Sequence, residues 1–393
     1  MSIHEILTAM VKKLQTIAAT ICLITGMSAF SASAQAGSLS LKSPTIGGDA
    51  PTDYLLYDAE GTNTFLVGNT QANLEKVLSG NSSNPTGNLE LAASSEKSGF
   101  DFTKATTLQG TIGGRSLTLS SLTEQDWNAT YQGGLTFGKY WFNQALDANG
   151  YGDLAKSDLG AGLFDIFKTY GGFQRFSDPN IAYVNQDDKT GQVQIGLAGH
   201  FDATSLITSS IDQFLVSTSS NLIKLQTGLD SLRSNRSTLQ TQYNQVPQTI
   251  VVNKKTVANP NYAAQRNAIQ EQINKLNVAI ADGEAQAKQA KALIASVSGV
   301  KTTLGQKMIQ ASEVFKYTYN TGESKYGYSF TATRSGLTEK SDGVSHSGNY
   351  EVVFQGIAPP PKPPRKVPEP TLLLGLVGVG GLMLRRRANP NQA

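Results

Sequence analysis

Cysteine is almost missing from this chain of 393 residues, and the single one, Cys22, sits in an N-terminal segment that reads as a removable leader. The body therefore has no disulfide and no thiol chemistry, and its stability must come from packing. Histidine is nearly as scarce. Outside the leader there are His200 and His346 alone, too few for a histidine-built zinc centre, which needs three or four clustered ligands. No Gly-x-Ser-x-Gly elbow, P-loop or His-Glu-x-x-His is present, so the common signatures of acyl transfer, nucleotide binding and metalloproteolysis are absent. An excess of positive charge is also missing where it would matter. The formal net charge is +3, but residues 1–36 carry +1 and residues 358–393 carry +5, which leaves −3 on the body. A nucleic-acid partner is not expected of a body without a basic face.

The leader has three parts. Lys12 and Lys13 form a charged region, Ile17 to Phe30 an apolar core, and Ala34-Gln35-Ala36 a small-x-small cleavage site before Gly37. This is the pattern of a secretory signal peptide spanning residues 1–36. The other end also has three parts. A stiff proline-rich spacer at 358–367 precedes Pro368-Glu369-Pro370, an apolar run from Leu372 to Leu384, and the cluster Arg385, Arg386, Arg387. The run is shorter than the roughly 20 residues of a standard membrane span, and the arginines hold its end on the cytoplasmic side.

This tail, 368–393, resembles the PEP-CTERM sorting signal. The resemblance implies an exported protein, processed at Pro368-Glu369-Pro370 by an exosortase-type membrane protease. It also implies transient anchoring in the inner membrane through the C-terminal segment, and a final place in the cell envelope, at the cell surface or in the extracellular matrix. The body resembles uncharacterised cyanobacterial proteins of this type through Ser177-Asp178-Pro179-Asn180, Gly196-Leu197-Ala198-Gly199-His200 and Gly343-Val344-Ser345-His346-Ser347-Gly348-Asn349-Tyr350. That likeness implies a location and no activity.

Between the two ends the composition changes twice. Residues 37–200 alternate short apolar runs with Gly, Ser and Thr. Leu108–Ile112 and Arg115–Leu119 flank Gly113-Gly114, which predicts a hairpin, and Ile181–Asn185 with Gln192–Leu197 predicts a second. Residues 201–314 lose glycine and aromatics. Leu222, Leu225, Leu229, Leu232, Leu239, Tyr243 and Val246 repeat in steps of three and four, and so do Ile269, Ile273, Leu276, Ile280, Gly283, Ala287, Ala290, Ile294 and Val297. Such spacing predicts one apolar seam on each of two helices in an antiparallel coiled coil; two amphipathic helices lying on a globular core would show it too. Between them, Thr249–Val252 and Thr256-Val257 predict a small β-hairpin at the tip, which either makes a contact or covers the end of the seam. Residues 315–357 return to alternation, in Phe315/Tyr317/Tyr319 and Tyr326/Tyr328/Phe330. The expected fold is α+β: a β-rich domain, begun in 37–200 and completed in 315–357, with a long helical hairpin inserted.

Candidate chemistry is thin. Asp147, Asn149, Gly152 and Asp158 fall at positions 1, 3, 6 and 12 of an EF-hand-like pattern, with Asp153 between them, and make a calcium candidate. Tyr151 stands where an oxygen ligand belongs, and a glycine-rich turn between helices gives the same pattern. His200 and His346 could pair with a carboxylate such as Asp202, or be two structural histidines. Tyr131, Tyr140, Trp141 and Tyr151 could stack on sugars or fill a core. No pair of carboxylates stands out. The expected role is that of a non-enzymatic structural or adhesive protein of the envelope or matrix, with extracellular polysaccharide or envelope proteins as partners. A polysaccharide-binding module or polysaccharide-active enzyme is the alternative, and a pocket with facing carboxylates under an aromatic shelf would favour it.

Overall fold

The computed structural model describes residues 38–360. The signal cleavage site at Ala34 and Ala36, the sorting residues Pro368, Glu369, Pro370 and Arg385 to Arg387, and the spacer from 361 onward lie outside the described residues. The fold of the described residues is mixed α and β, with two large sheets, a separate two-stranded hairpin and two long helices. Among the described residues no helix is long and apolar enough to cross a membrane.

The smaller sheet has the order β13 (Lys325–Gly327), β12 (Phe315–Tyr319), β7 (Arg115–Ser120), β6 (Thr106–Ile112), β2 (Lys42–Gly48). Its β6–β7 hairpin turns at Gly113-Gly114, with Ile112 opposite Arg115. Both glycines have positive φ, 56° and 79°, the conformation a two-residue turn of this kind requires. The larger sheet runs β14 (Ala332–Arg334), β16 (Gly348–Gln355), β9 (Gln192–Gly199), β8 (Asn180–Asp187), β5 (Gly87–Leu91), β3 (Tyr54–Glu60), β4 (Asn63–Val67), β15 (Thr338–Glu339), with β1 (Ser38–Ser40) also on β8. Strands after the long helices thus complete both sheets. The β8–β9 turn is held by Asp187, whose carboxylate accepts from the backbone N–H groups of Lys189 and Thr190 at 2.9 and 2.6 Å.

The larger sheet curls, and its connectivity says why. β14 and β15 occupy opposite ends of the strand order, yet only Ser335, Gly336 and Leu337 separate them. Eight flat strands would spread roughly 30 Å, and three residues reach no more than about 14 Å. The two edges must therefore approach, and the segment 335–347 crosses between them. Lys340 N–H donates to Thr64 O, and Ser335 N–H to Ser347 O.

One core lies between the sheets, formed by Leu56, Leu89, Ile181 and Ile195 from the larger and Leu108, Leu117 and Leu119 from the smaller. A bulge at Ile181–Tyr183 lets Ile181 and Val184 both enter this core, while Ala182 and Tyr183 pack on the opposite face. Helix α1 (Gln71–Val77) adds Leu74 and Val77. The second core is aromatic. It is built from α2 (Glu124–Asn128), α3 (Phe137–Ala148), α5 (Asp158–Thr169) and the loop after it, with Trp127, Phe137, Trp141, Phe167, Phe173 and Phe176 at its centre; α4 (Gly152–Lys156) is a single turn between α3 and α5.

The long helices are α6 (Thr204–Gln245) and α7 (Tyr262–Leu304). They pack antiparallel: Leu229 lies against Gly283, Arg233 pairs with Glu284 at 2.7 Å, and the Lys301 ammonium meets Asp212 at 2.5 Å. Ile207, Ile211 and Phe214 root the pair in the aromatic core from α6, and Leu293, Val297, Val300 and Leu304 do so from α7. The seam expected on α7 needs one correction. Leu293 is fully buried and Ile294 only half so, because the last turns pack on the aromatic core as well as on the partner helix. At the far end β10 (Thr249–Val252) pairs with β11 (Lys255–Ala258) around Asn253 and Lys254, both at positive φ. Val251 is 74% exposed, and Val252 and Val257 are exposed as well, so the valines of the tip do not cover the seam.

Candidate functional site: a carboxyl-lined cavity

Strand alternation creates the site. Along β3, Leu56 points into the core between the sheets, so Leu55 and Tyr57 point to the other face. Along β5, Leu89 and Leu91 point inward and Glu90 outward. Register aligns Leu55 with Glu90 and Glu90 with Asn180, giving a polar row on the concave face. The loop 93–97, the end of β9 and the crossing segment 339–346 close over it. The result is a cavity of about 460 Å³, within the range of small-molecule sites.

Three carboxyl groups reach into this space. Asp178 and Glu313 are 8% and 7% exposed, and Glu90 is half-buried. Burial pushes Glu313 up to about 8 and Glu90 up to about 7. Asp178 is raised well above the usual range by burial and then by the charges of Glu313 and Glu90. The Tyr57 hydroxyl donates to Glu90, and Ser95 Oγ donates to Asp178 Oδ2 at 2.5 Å. Among the described residues, Asp178 Oδ1 and Glu313 Oε2 have no hydrogen-bond partner, which is costly for buried polar atoms.

Arg175 is the inner cation, and most of its guanidinium is used structurally. It donates to Ser210 Oγ and Tyr170 O, both at 3.1 Å, and lies 3.8 Å from Glu96. Lys97 is the other basic residue of the lining, against acids that also include Glu96, Glu339 and Asp342.

Both histidines reach the cavity, with different duties. The His346 ring is gripped on both nitrogens, by Thr64 Oγ1 at 2.7 Å and Asn88 Nδ2 at 3.2 Å, and Tyr57 meets it edge-on at 4.8 Å. It is 4% exposed, and burial lowers it to about 4. Its backbone is left-handed, with φ of 62°, a strain these partners hold in place. His200 Nε2 lies 3.2 Å from Ser345 Oγ, and burial lowers its pKa. A serine–histidine–aspartate relay does not follow, because the acid binds the wrong group. Asp342 accepts from Ser345 Oγ and from the backbone N–H groups of Val344 and Ser345, and Asp202 accepts from the Thr204 N–H that opens α6.

The three body segments quoted from the sequence meet here through Asp178 and Asn180, Ala198 to His200, and Ser345 with His346. Glu90 and Glu313 were not singled out in the sequence. The available signal was an acid stranded within an apolar run, in Asn-Leu-Glu90-Leu-Ala and Ala-Ser-Glu313-Val-Phe.

The calcium candidates take up other positions. Asp147 ends α3, Asp153 opens α4 and Asp158 opens α5, all exposed. Asn149 is committed to Gln310, accepting from its N–H at 2.7 Å and donating to its C=O at 3.0 Å. Tyr151 is buried with its hydroxyl on Thr303 and Leu304 carbonyls. Among the described residues no group of three or more His, Cys, Asp or Glu could hold a metal. The aromatics considered for sugar stacking belong to the second core instead: Trp141 is fully buried against Trp127 and Phe176, and Tyr131 packs on Phe137 and Tyr140. Comparison with protein-family models, with curated proteins and with solved structures finds no match to this chain.

Proposed function

We propose that this chain is an exported protein of the cell envelope or extracellular matrix that holds a saccharide of that matrix in the carboxyl-lined cavity and projects an antiparallel coiled-coil hairpin as an adhesive arm. The observation that carries the reading is the cavity itself, lined by three inner carboxyls, two of which have a buried oxygen without a partner among the described residues. Hydroxyl-rich ligands satisfy such groups. The arm is supported by two helices of 42 and 43 residues, about 63 Å long, that end in exposed valines beside Lys254 and Lys255. Binding is favoured over hydrolysis. Acid–base catalysis on sugars needs two carboxyls whose pKa values are driven apart, and Glu90, Asp178 and Glu313 are all driven upward. At Asp342 burial works against ionisation, but hydrogen bonds from Ser345 and Val344 outweigh it and lower the pKa; its oxygens are occupied by that turn.

Calorimetry of the purified protein with oligosaccharides from the matrix of the producing cell is expected to show one site per chain, lost in Asp178→Ala. Absence of binding by any fragment would refute the reading. For the location, replacing Pro368, Glu369 and Pro370 with alanine is expected to leave export intact and to block tail processing, so that the protein stays in the inner-membrane fraction. An alanine variant of wild-type mature mass and location would show that the tripeptide is not a sorting signal.

A further inference from the structure

The reading of the cavity as a saccharide site leaves open which saccharide, and the lining narrows it. The cavity presents acceptors in excess of donors. Asp178 Oδ1 and Glu313 Oε2 are unpartnered and belong to side chains more than nine-tenths buried. Glu90 lies beside them, and Glu96, Glu339 and Asp342 line the rest. Arg175 is already shared among Ser210, Tyr170 and Glu96, which leaves Lys97 as the remaining fixed cation of the lining. A hydroxyl brings one proton and two lone pairs, whereas an ammonium brings three donors, no acceptor and a positive charge. We propose that the cavity receives the primary ammonium of a de-N-acetylated amino sugar, placed between Asp178 and Glu313, with the sugar hydroxyls on the serines and Asn180 of the wall.

The proposal fixes the sign of a pH effect. In the free protein Glu313, raised to about 8, holds its proton at neutral pH, Glu90, raised to about 7, is about half protonated, and Asp178 is shifted in the same direction. An arriving ammonium favours the ionised forms, so binding expels protons and tightens as pH rises. His200 and His346, both lowered, are neutral over this range. Asp342, also lowered, is already ionised. The Tyr57 hydroxyl, raised by burial and by Glu90, keeps its proton. A neutral sugar would instead accept from the carboxyl O–H groups and bind more weakly as pH rises.

The test is calorimetry of the full-length mature protein with the glucosamine trimer, the N-acetylglucosamine trimer and spermidine, at about pH 5.5 and about pH 7.0, in two buffers of different ionisation heat. Each proton displaced contributes about tenfold per pH unit, so the glucosamine trimer is expected to bind at least about tenfold tighter at the higher pH, with protons released to the buffer. The N-acetylated trimer is expected to bind far more weakly. Glu313→Gln and Asp178→Asn imitate the protonated groups; circular dichroism should show them folded, and each should flatten the pH dependence. Equal affinity for the N-acetylated trimer, or affinity that falls with pH, would overturn the ammonium assignment and leave the saccharide site standing. Spermidine binding as tightly as the amino sugar would overturn the saccharide part. Failure of all three probes, if matrix oligosaccharides still bind, would overturn the amino-sugar assignment alone; if those fail too, the saccharide reading falls with it.

Discussion

Thermal unfolding of the ligand-free protein is expected to shift several degrees lower between about pH 6.5 and about pH 8.5, and Glu313→Gln is expected to remove much of that loss. The cause is Glu313, raised from 4.5 to about 8 by burial. Across the window between those values the folded state holds a proton that the unfolded state has released. Stability from this group is complete below the unfolded pKa and declines as pH rises to the folded one. One pKa unit corresponds to about 1.4 kcal/mol, so the last stretch to pH 8 costs on the order of 2 kcal/mol. Asp178 acts in the same direction. His346 acts oppositely: its folded pKa of about 4 lies below the ordinary histidine value of 6.5, so it weakens the fold as pH falls through 6.5. Between about pH 4.5 and 6.5 its rise opposes the fall from Glu313, and above 6.5 that fall is no longer opposed by this histidine. Glutamine keeps the shape of the protonated acid and cannot ionise. A flat profile in the wild type, or a variant with the same slope, would show that the Glu313 carboxyl is not held neutral.

Leu229→Asp is expected to cost several kcal/mol and to melt the outer part of the helical pair while the body stays folded. Leu229 is 4% exposed and packs with Ile280 and Ala287 against Gly283, where an added Cβ would come within 2.6 Å of Leu229 Cδ2. The nearest cation on the same helix, Arg233 one turn on, is already shared between Asp230 and Glu284. Ile223→Asp is the control, because Ile223 is 63% exposed and surface changes usually stay within about 0.5 kcal/mol. Circular dichroism and hydrogen exchange read the difference. Equal effects of the two substitutions would mean that the helices do not depend on this seam.

Periodicity carried most of the fold. The two long helices were legible because their steps of three and four persist over many turns, and the β6–β7 hairpin because Gly113-Gly114 is an unambiguous turn. The shift from Ile294 to Leu293 was not legible, since it depends on where α7 meets the aromatic core. The curl of the larger sheet was hidden for a similar reason, because β15 is two residues long and pairs in parallel with a distant strand. At the site, His200 and His346 stood out as the histidines outside the leader, and Asp178 lay in one of the segments that suggested the resemblance. Glu90 and Glu313 did not, because an acid in an apolar run shows its burial only after the strands align. The calcium pattern matched in spacing, yet spacing does not tell that Asn149 is turned toward Gln310.

The central claim is that the cavity raises Glu90 and Glu313 to about 7 and 8 and that these groups release their protons when a cationic sugar binds. Carbon-13 NMR of protein labelled at the side-chain carboxyls of Asp and Glu tests it directly, by titration with and without the glucosamine trimer. The account predicts resonances from Glu90 and Glu313 that titrate near 7 and 8 in the free protein, identified by Glu90→Gln and Glu313→Gln, and that move to lower pH in the complex. Titration of every carboxyl in the ordinary range near pH 4, or midpoints unmoved by the saturating trimer, would contradict it.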